Sequence, residues 1–97
     1  MKKAKLRTTK GAAVQQLTTE KDMAAYLETA IEDGDPALVS AALGDIARAR
    51  GMTQVARKAG IGRVSLYKAL SPNGNPEFAT VLKVVKALGL RLHATTS

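Results

Sequence analysis

Several side chains that could recognise nucleic acid lie close together between residues 63 and 68. Arg63, Tyr67 and Lys68 carry hydrogen-bond donors, and on a helix their spacing places them on one side, with Val64 beside them. Such donors suit base edges and phosphates, and a small apolar side chain suits a thymine methyl group. This group of residues therefore predicts binding to duplex DNA.

The spacing of small and apolar residues over positions 52–70 predicts the element that would hold these side chains. A helix-turn-helix needs a small residue where its second helix crosses the first, and a turn residue that tolerates positive φ. Ala56 and Gly60 stand at those two positions. The other predicted inward residues are Val55, Ala59, Ile61, Leu66, Ala69 and Leu70. An ordinary helical hairpin with a solvated basic face gives the same pattern and stays open as the alternative.

The charge of the chain is unevenly distributed. The net charge is +7 over 97 residues. Residues 1–19 carry five cations and no acid, residues 20–45 carry seven acids and one cation, and residues 46–97 carry nine cations and one acid. The positive C-terminal half contains the helix-turn-helix pattern, so a polyanionic partner is the simplest interpretation. A basic surface that serves only solubility is the alternative.

The residues needed for catalysis or metal binding are scarce. The chain has no cysteine, and its single histidine, His93, lies near the C-terminus, far in sequence from the acidic residues. We therefore expect neither an enzyme nor a metal or cofactor site. No apolar run approaches the ~20 residues that span a bilayer, and no secretory signal is evident. A cytoplasmic protein with no membrane partner is the default expectation.

Length and composition predict one small all-α domain. Aromatic residues make up only 3% of the chain, so the core must consist of Leu, Val, Ile and Ala, which suits packed helices. We expect a basic, flexible N-terminal arm at residues 1–18 and a DNA-binding domain at residues 19–94, with its helix-turn-helix core at 52–70. Residues 95–97 are expected to form a flexible tail.

Helix-start and helix-stop residues predict five helices. The predicted N-caps are Thr19, Asp35, Thr53 and Asn75, each a residue type that can accept a hydrogen bond from the first helical turn or tolerate its geometry. The predicted spans are Thr19 to Asp33, Pro36 to Arg50, Thr53 to Gly60, Gly62 to Leu70, and a fifth helix with Pro76 at its first position.

The fifth helix and the residues after it carry two further patterns. Gly89 is a suitable residue to end the helix, and residues 90–94 then alternate as a short C-terminal strand would. One strand cannot satisfy its own backbone, so a second copy of the chain would complete it. This predicts a homodimer with Leu90, Arg91 and Leu92 as candidate dimerisation residues, and a frayed tail is the alternative. The predicted apolar stripe of the helix is Phe78, Val81, Leu82, Val85 and Leu88.

Three short motifs resemble a known family. They are ARARG at residues 47–51, LYKAL at residues 66–70 and GNP at residues 74–76. Together with the segment DMAAYLETAIEDGDPALVSAAL before them, they resemble the addiction-module antidote family, small HigA-like antitoxins with a lambda-repressor-like, XRE-type helix-turn-helix. The resemblance covers roughly residues 19–92.

The resemblance implies a fold, a function and two partners. It implies a five-helix, lambda-repressor-like helix-turn-helix domain that binds operator DNA as a dimer and represses its own operon. It also implies neutralisation of a RelE/ParE-type toxin encoded beside it. A stand-alone transcriptional regulator without a toxin, and a protein-interaction module that has lost DNA binding, are the other interpretations.

The predicted recognition helix, residues 62–70, would enter the major groove. Arg63 is the best candidate for a direct base contact, because bidentate Arg–guanine pairing is the commonest specific contact, and Val64 could press on a thymine methyl. Thr53 and Gln54, at the start of the preceding helix, are expected to meet a phosphate. The remaining predicted DNA contacts are Ser65, Tyr67, Lys68, Asn73 and Asn75.

Overall fold

Five α-helices follow one another in the computed structural model, which describes residues 17–96. They are α1 (Glu20–Asp33), α2 (Pro36–Arg50), α3 (Met52–Ala59), α4 (Arg63–Ala69) and α5 (Phe78–Ala87). The described residues contain no strand. The predicted all-α class with five helices is confirmed, and the arrangement is consistent with a helix-turn-helix domain. The predicted arm falls on residues 1–18, of which 1–16 lie outside the described part of the chain.

The first two helices begin at the predicted residues. The hydroxyl oxygen of Thr19 accepts a hydrogen bond from the Asp22 N–H at 3.1 Å. A carboxylate oxygen of Asp35 accepts from the Ala37 N–H at 3.0 Å, and Pro36 occupies the first helical position. In both cases a local side chain satisfies an amide that has no partner inside the helix.

Gly51 alone joins α2 to α3, and this corrects the prediction that Thr53 caps the third helix. The Gly51 N–H donates to the Ala47 carbonyl at 2.8 Å, and the Gly51 carbonyl accepts from the Val55 N–H at 3.0 Å. Its φ of 106° is a backbone conformation that a side chain would strain. Because one glycine ends α2 and begins α3, Thr53 lies inside the first turn of α3 with its side chain exposed.

The fifth helix begins two residues later than predicted. Its N-cap is Glu77, whose carbonyl accepts from the Val81 N–H at 3.0 Å, so Asn75 and Pro76 remain in the preceding loop. This loop folds against the end of α4. A Cβ at Gly74 would lie 2.4 Å from the Ala69 carbonyl oxygen, so only glycine allows this approach.

All five helices contribute buried apolar side chains to one core. α2 contacts α1 and α3, and α3 also contacts α4 and α5. The largest fully buried side chains come from all helices except α3, and they are Met23, Leu43, Ile46, Leu66, Leu70, Val84 and Leu88. Leu66 and Leu70 therefore pack α4 against the core of the domain.

The predicted apolar stripe of α5 is only partly buried. Val85 and Leu88 are buried, whereas Phe78 is 68% exposed and Leu82 is also exposed. The stripe is wider than the surface that α3 offers to it, so its two flanking members remain in contact with solvent. Ile31, near the end of α1, is likewise exposed.

The residues after α5 do not form the predicted C-terminal strand in the chain described. The Leu90 N–H donates to the Val85 carbonyl at 3.1 Å, and this bond ends the helix. Leu90 and Leu92 pack as half-buried residues against the core of their own chain, and Arg91 between them is exposed. The strand prediction is therefore wrong for the single chain, while the homodimer stays a prediction.

A polar contact fixes α1 on α2. The Tyr26 hydroxyl donates to a carboxylate oxygen of Asp45 at 2.7 Å, and Asp45 is almost fully buried. Arg48 donates to the other oxygen at 3.3 Å. Burial raises the pKa of Tyr26 well above its ordinary value, and the hydrogen bond and negative charge of Asp45 raise it further.

This contact predicts an alkaline loss of stability. Above about pH 10 the unfolded chain loses the Tyr26 proton while the folded chain keeps it, so the free energy of unfolding falls as pH rises. We expect Tyr26→Phe to remove this part of the alkaline decline, and to cost about 1–3 kcal/mol at neutral pH because Asp45 loses a donor. Urea unfolding across the alkaline range measures both effects. Tyr67→Phe is the matched control, and an equal alkaline decline in the two variants would contradict the assignment.

Candidate nucleic-acid interface

A three-residue turn positions α4 relative to α3. Gly60 adopts a left-handed conformation with φ 71°, and the Ile61 N–H donates back to the Ala56 carbonyl at 3.0 Å. The Ile61 side chain is half-buried against the core. The Gly62 carbonyl then accepts from the Leu66 N–H at 2.9 Å and begins α4. The turn therefore fixes where α4 starts on the surface of the domain.

The two sides of α4 differ sharply in burial. Leu66 is fully buried, whereas Val64, two residues earlier, is 72% exposed. The other predicted DNA contacts on this helix are all exposed, and they are Arg63, Ser65, Tyr67 and Lys68. A segment held by its inward leucines and open on its polar side has the form that groove recognition needs.

Arg63 and Tyr67 lie together on the exposed side of α4. The guanidinium carbon of Arg63 is 5.6 Å from the centroid of the Tyr67 ring, within the range of a cation–π contact. Neither Arg63 nor Lys68 forms an ion pair with any residue in the described range 17–96. Their donors are available to a ligand, and the tyrosine ring restricts where the Arg63 side chain can point.

The start of α3 and the exposed side of α4 face one concave surface, here called the recognition concavity. Thr53 and Gln54 line it together with Arg63 and Tyr67. The end of α2 adds Arg48 and Arg50. Three arginines and no acidic residue line the recognition concavity, so the charge of its lining favours an anion. Arg48 and Arg50 each have an acidic neighbour outside this lining, Asp45 at 3.3 Å and Glu20 at 4.0 Å.

Arg48 and Arg50 are the lining residues that the sequence analysis missed. Cations in the last turn of a helix are favoured by the helix dipole, and this alone accounts for two arginines at the end of α2. Only Gly51, which turns the chain directly from α2 into α3, brings them beside the first turn of α3. The sequence does contain a signal for this arrangement. A single glycine between two helical patterns means a very short connection, so the last turn of one helix must lie close to the first turn of the next.

Three groups of predicted residues lie outside the recognition concavity. The first is Val64, Ser65 and Lys68, which are exposed on α4 but do not line it. Asn73 and Asn75 are exposed in the loop after α4, where the Ser71 hydroxyl donates to the Lys68 carbonyl at 2.9 Å and steadies the turn. The candidate dimerisation residues 90–92 follow α5 and likewise do not line it.

Residues 17–96 contain neither a membrane-spanning helix nor a cluster of potential metal ligands. No helix there has the length and apolar character needed to cross a membrane. No three potential metal ligands of the His, Cys, Asp and Glu types come together in that part of the chain.

Comparison with known proteins gives a family match over nearly the whole chain. A family model described as "Probable addiction module antidote protein" matches residues 7–96, which include all five helices. A Haemophilus influenzae protein described as "Uncharacterized protein" is 52% identical over 83 residues, which cover 86% of each chain. No solved structure matches the chain.

Proposed function

Because this chain belongs to the family of probable addiction module antidote proteins, we propose that it is the antitoxin of a type II toxin–antitoxin module and represses its own operon by binding operator DNA. The family match extends to the antidote proteins as a group. The finer assignment to HigA-like antitoxins with an XRE-type helix-turn-helix is part of the proposal. The observation that carries the DNA-binding half is the exposed, donor-bearing side of α4 beside Arg48 and Arg50.

The dimensions of α4 support entry into the major groove. An α-helix with its side chains is about 10–12 Å in diameter, which fits a major groove about 12 Å wide, and the seven residues of α4 give a segment about 10 Å long to lie in it. In this arrangement Arg63 reads guanine through two parallel hydrogen bonds, and Val64 contacts a thymine methyl group. Thr53 and Gln54 meet a phosphate across the recognition concavity, and Lys68 adds a backbone contact.

The second partner is a toxin of the RelE/ParE type. The acidic residues of the chain are concentrated in α1 and at the start of α2, away from the basic C-terminal half, and those of α1 are exposed. This segregation favours a basic protein on the α1 side while DNA occupies the α4 side. The homodimer completes the proposal, since two copies would read two operator half-sites.

Growth rescue and a promoter reporter test the two halves separately. Expression of the toxin-like protein encoded beside this gene should arrest growth, and co-expression of the full chain should restore it. A reporter driven by the upstream region should be repressed by the full chain. Repression without rescue would leave a stand-alone transcriptional regulator, and rescue without repression would remove the repressor half of the proposal.

A further inference from the structure

A second basic cleft lies where four helices end or begin. It is lined by Arg50 at the end of α2, Lys58 at the end of α3, and Lys83 and Lys86 of α5. Glu20, at the start of α1, also lines it. Four cations and one acid thus share one concave surface, called here the second basic cleft, and no predicted DNA contact lies within it.

The fold assembles this cleft from residues distant in sequence. Lys83 and Lys86 are three positions apart, so they lie on one side of α5. The packing of α5 against α3, through the buried Val84 and Val85, places that side next to Lys58. All three lysines are exposed, and none forms an ion pair with another described residue. Their mutual repulsion is relieved when an anion enters.

Glu20 provides the only anion that the described chain places in the second basic cleft. Its carboxylate lies 4.0 Å from the Arg50 guanidinium, and both side chains reach solvent. A Cβ at Gly89 would lie 2.5 Å from the same carboxylate, so the glycine leaves room for it. A solvent-exposed pair at this distance is weak, so a phosphate can replace Glu20 beside Arg50.

Arg50 connects the two basic surfaces. It lines the recognition concavity on one side and the second basic cleft on the other. An anion long enough to lie on both surfaces passes Arg50, whereas a small anion needs only one of them, and duplex DNA is the extended anion that α4 is already proposed to contact. We infer that the second basic cleft binds the sugar–phosphate backbone of the duplex beyond the base pairs that α4 reads. This inference rests on the proposed DNA-binding function.

Salt dependence measures the number of phosphates that the cleft neutralises. Each phosphate contact contributes about −0.9 to the slope of log K against log salt concentration. We expect Lys83→Gln/Lys86→Gln to make that slope shallower by about 1.8 and to weaken binding roughly tenfold at moderate salt. The loss should be equal on a duplex with the upstream promoter sequence and on a random duplex of the same length. Glu20→Gln should strengthen binding to both.

Matched variants separate a local contact from a general charge effect. Lys21→Gln removes one positive charge from the exposed side of α1, outside the second basic cleft, and is compared with the single variant Lys86→Gln. The slope should change for Lys86→Gln and stay unchanged for Lys21→Gln. Equal slopes for Lys83→Gln/Lys86→Gln and the wild type, at unchanged thermal midpoints, would overturn the inference. Loss of toxin binding with the DNA slope intact would overturn it too, and would assign the cleft to a protein.

The random duplex keeps this test separate from the test of the proposed function. If the wild type binds promoter and random duplexes equally, the proposal of a sequence-specific repressor fails. The change of salt slope in Lys83→Gln/Lys86→Gln still reports whether the second basic cleft binds phosphates. If the wild type prefers its promoter and this slope does not change, the repressor stands and the second basic cleft does not bind the backbone. If no duplex is bound, both proposals fall.

Discussion

Replacing Arg63 with alanine should remove about 1–3 kcal/mol of discrimination between the upstream promoter and random duplex DNA. The expectation follows from the position of Arg63 at the start of α4, where its guanidinium is exposed, lies over the Tyr67 ring and has no acidic partner among the described residues. A side chain held in this way can form both hydrogen bonds to guanine with little reorganisation. Fluorescence anisotropy with promoter and random duplexes, at a fixed salt concentration, gives the two affinities.

Lys68→Ala is the control on the same helix. We expect it to weaken binding to promoter and random duplexes alike, with a salt slope shallower by about 1, because an ammonium group on a phosphate carries no sequence information. The contrast between the two variants identifies the base reader. Losses that are equal on both duplexes for Arg63→Ala would remove Arg63 from that role.

Leu66→Ala should lower the free energy of unfolding by about 2–5 kcal/mol. Leu66 is fully buried and joins α4 to the core, so its truncation leaves a cavity under the helix that carries the proposed DNA contacts. Urea unfolding of the variant and the wild type gives the difference. Val64→Ala, on the exposed side of the same helix, should change stability by less than about 0.5 kcal/mol. Similar losses for the two variants would contradict the orientation of α4.

The helix boundaries that the sequence predicts correctly are those set by a local side chain. Thr19 and Asp35 cap the first turns that directly follow them, and both bonds involve residues at most three positions apart. Thr53 fails as a cap because Gly51 already serves both α2 and α3. Asn75 does not cap the fifth helix, because the loop around it packs closely against the end of α4 through Gly74. Both outcomes depend on how two neighbouring elements meet, which rules for the cap of a single helix do not include.

Burial could be predicted for the middle of each apolar face and not for its edges. The period of α5 correctly places Val85 and Leu88 inside, yet Phe78 and Leu82 are exposed. Periodicity gives the direction in which a helix faces the core, whereas the width of the covered surface depends on its neighbour. In α5 that neighbour is the eight-residue helix α3.

The candidate site could be predicted where one helix carries it. Residue types and spacing alone were enough to predict the exposed side of α4, where Arg63, Tyr67 and Lys68 are found. Arg50 is separated from Arg63 by the whole of α3, and it lines the recognition concavity because the chain turns at Gly51. The second basic cleft draws its cations from three helices, so its existence depends on tertiary packing.

A footprint on the upstream region tests the central claim most directly. The full chain should protect one or two discrete segments at concentrations that leave the rest of the duplex open to cleavage. Arg63→Ala should lose this selective protection and Lys21→Gln should retain it. Uniform protection of the whole duplex by the wild type would contradict the claim that α4 reads operator sequence. The absence of any protected segment, at protein concentrations equal to those that restore growth against the toxin, would contradict it as well.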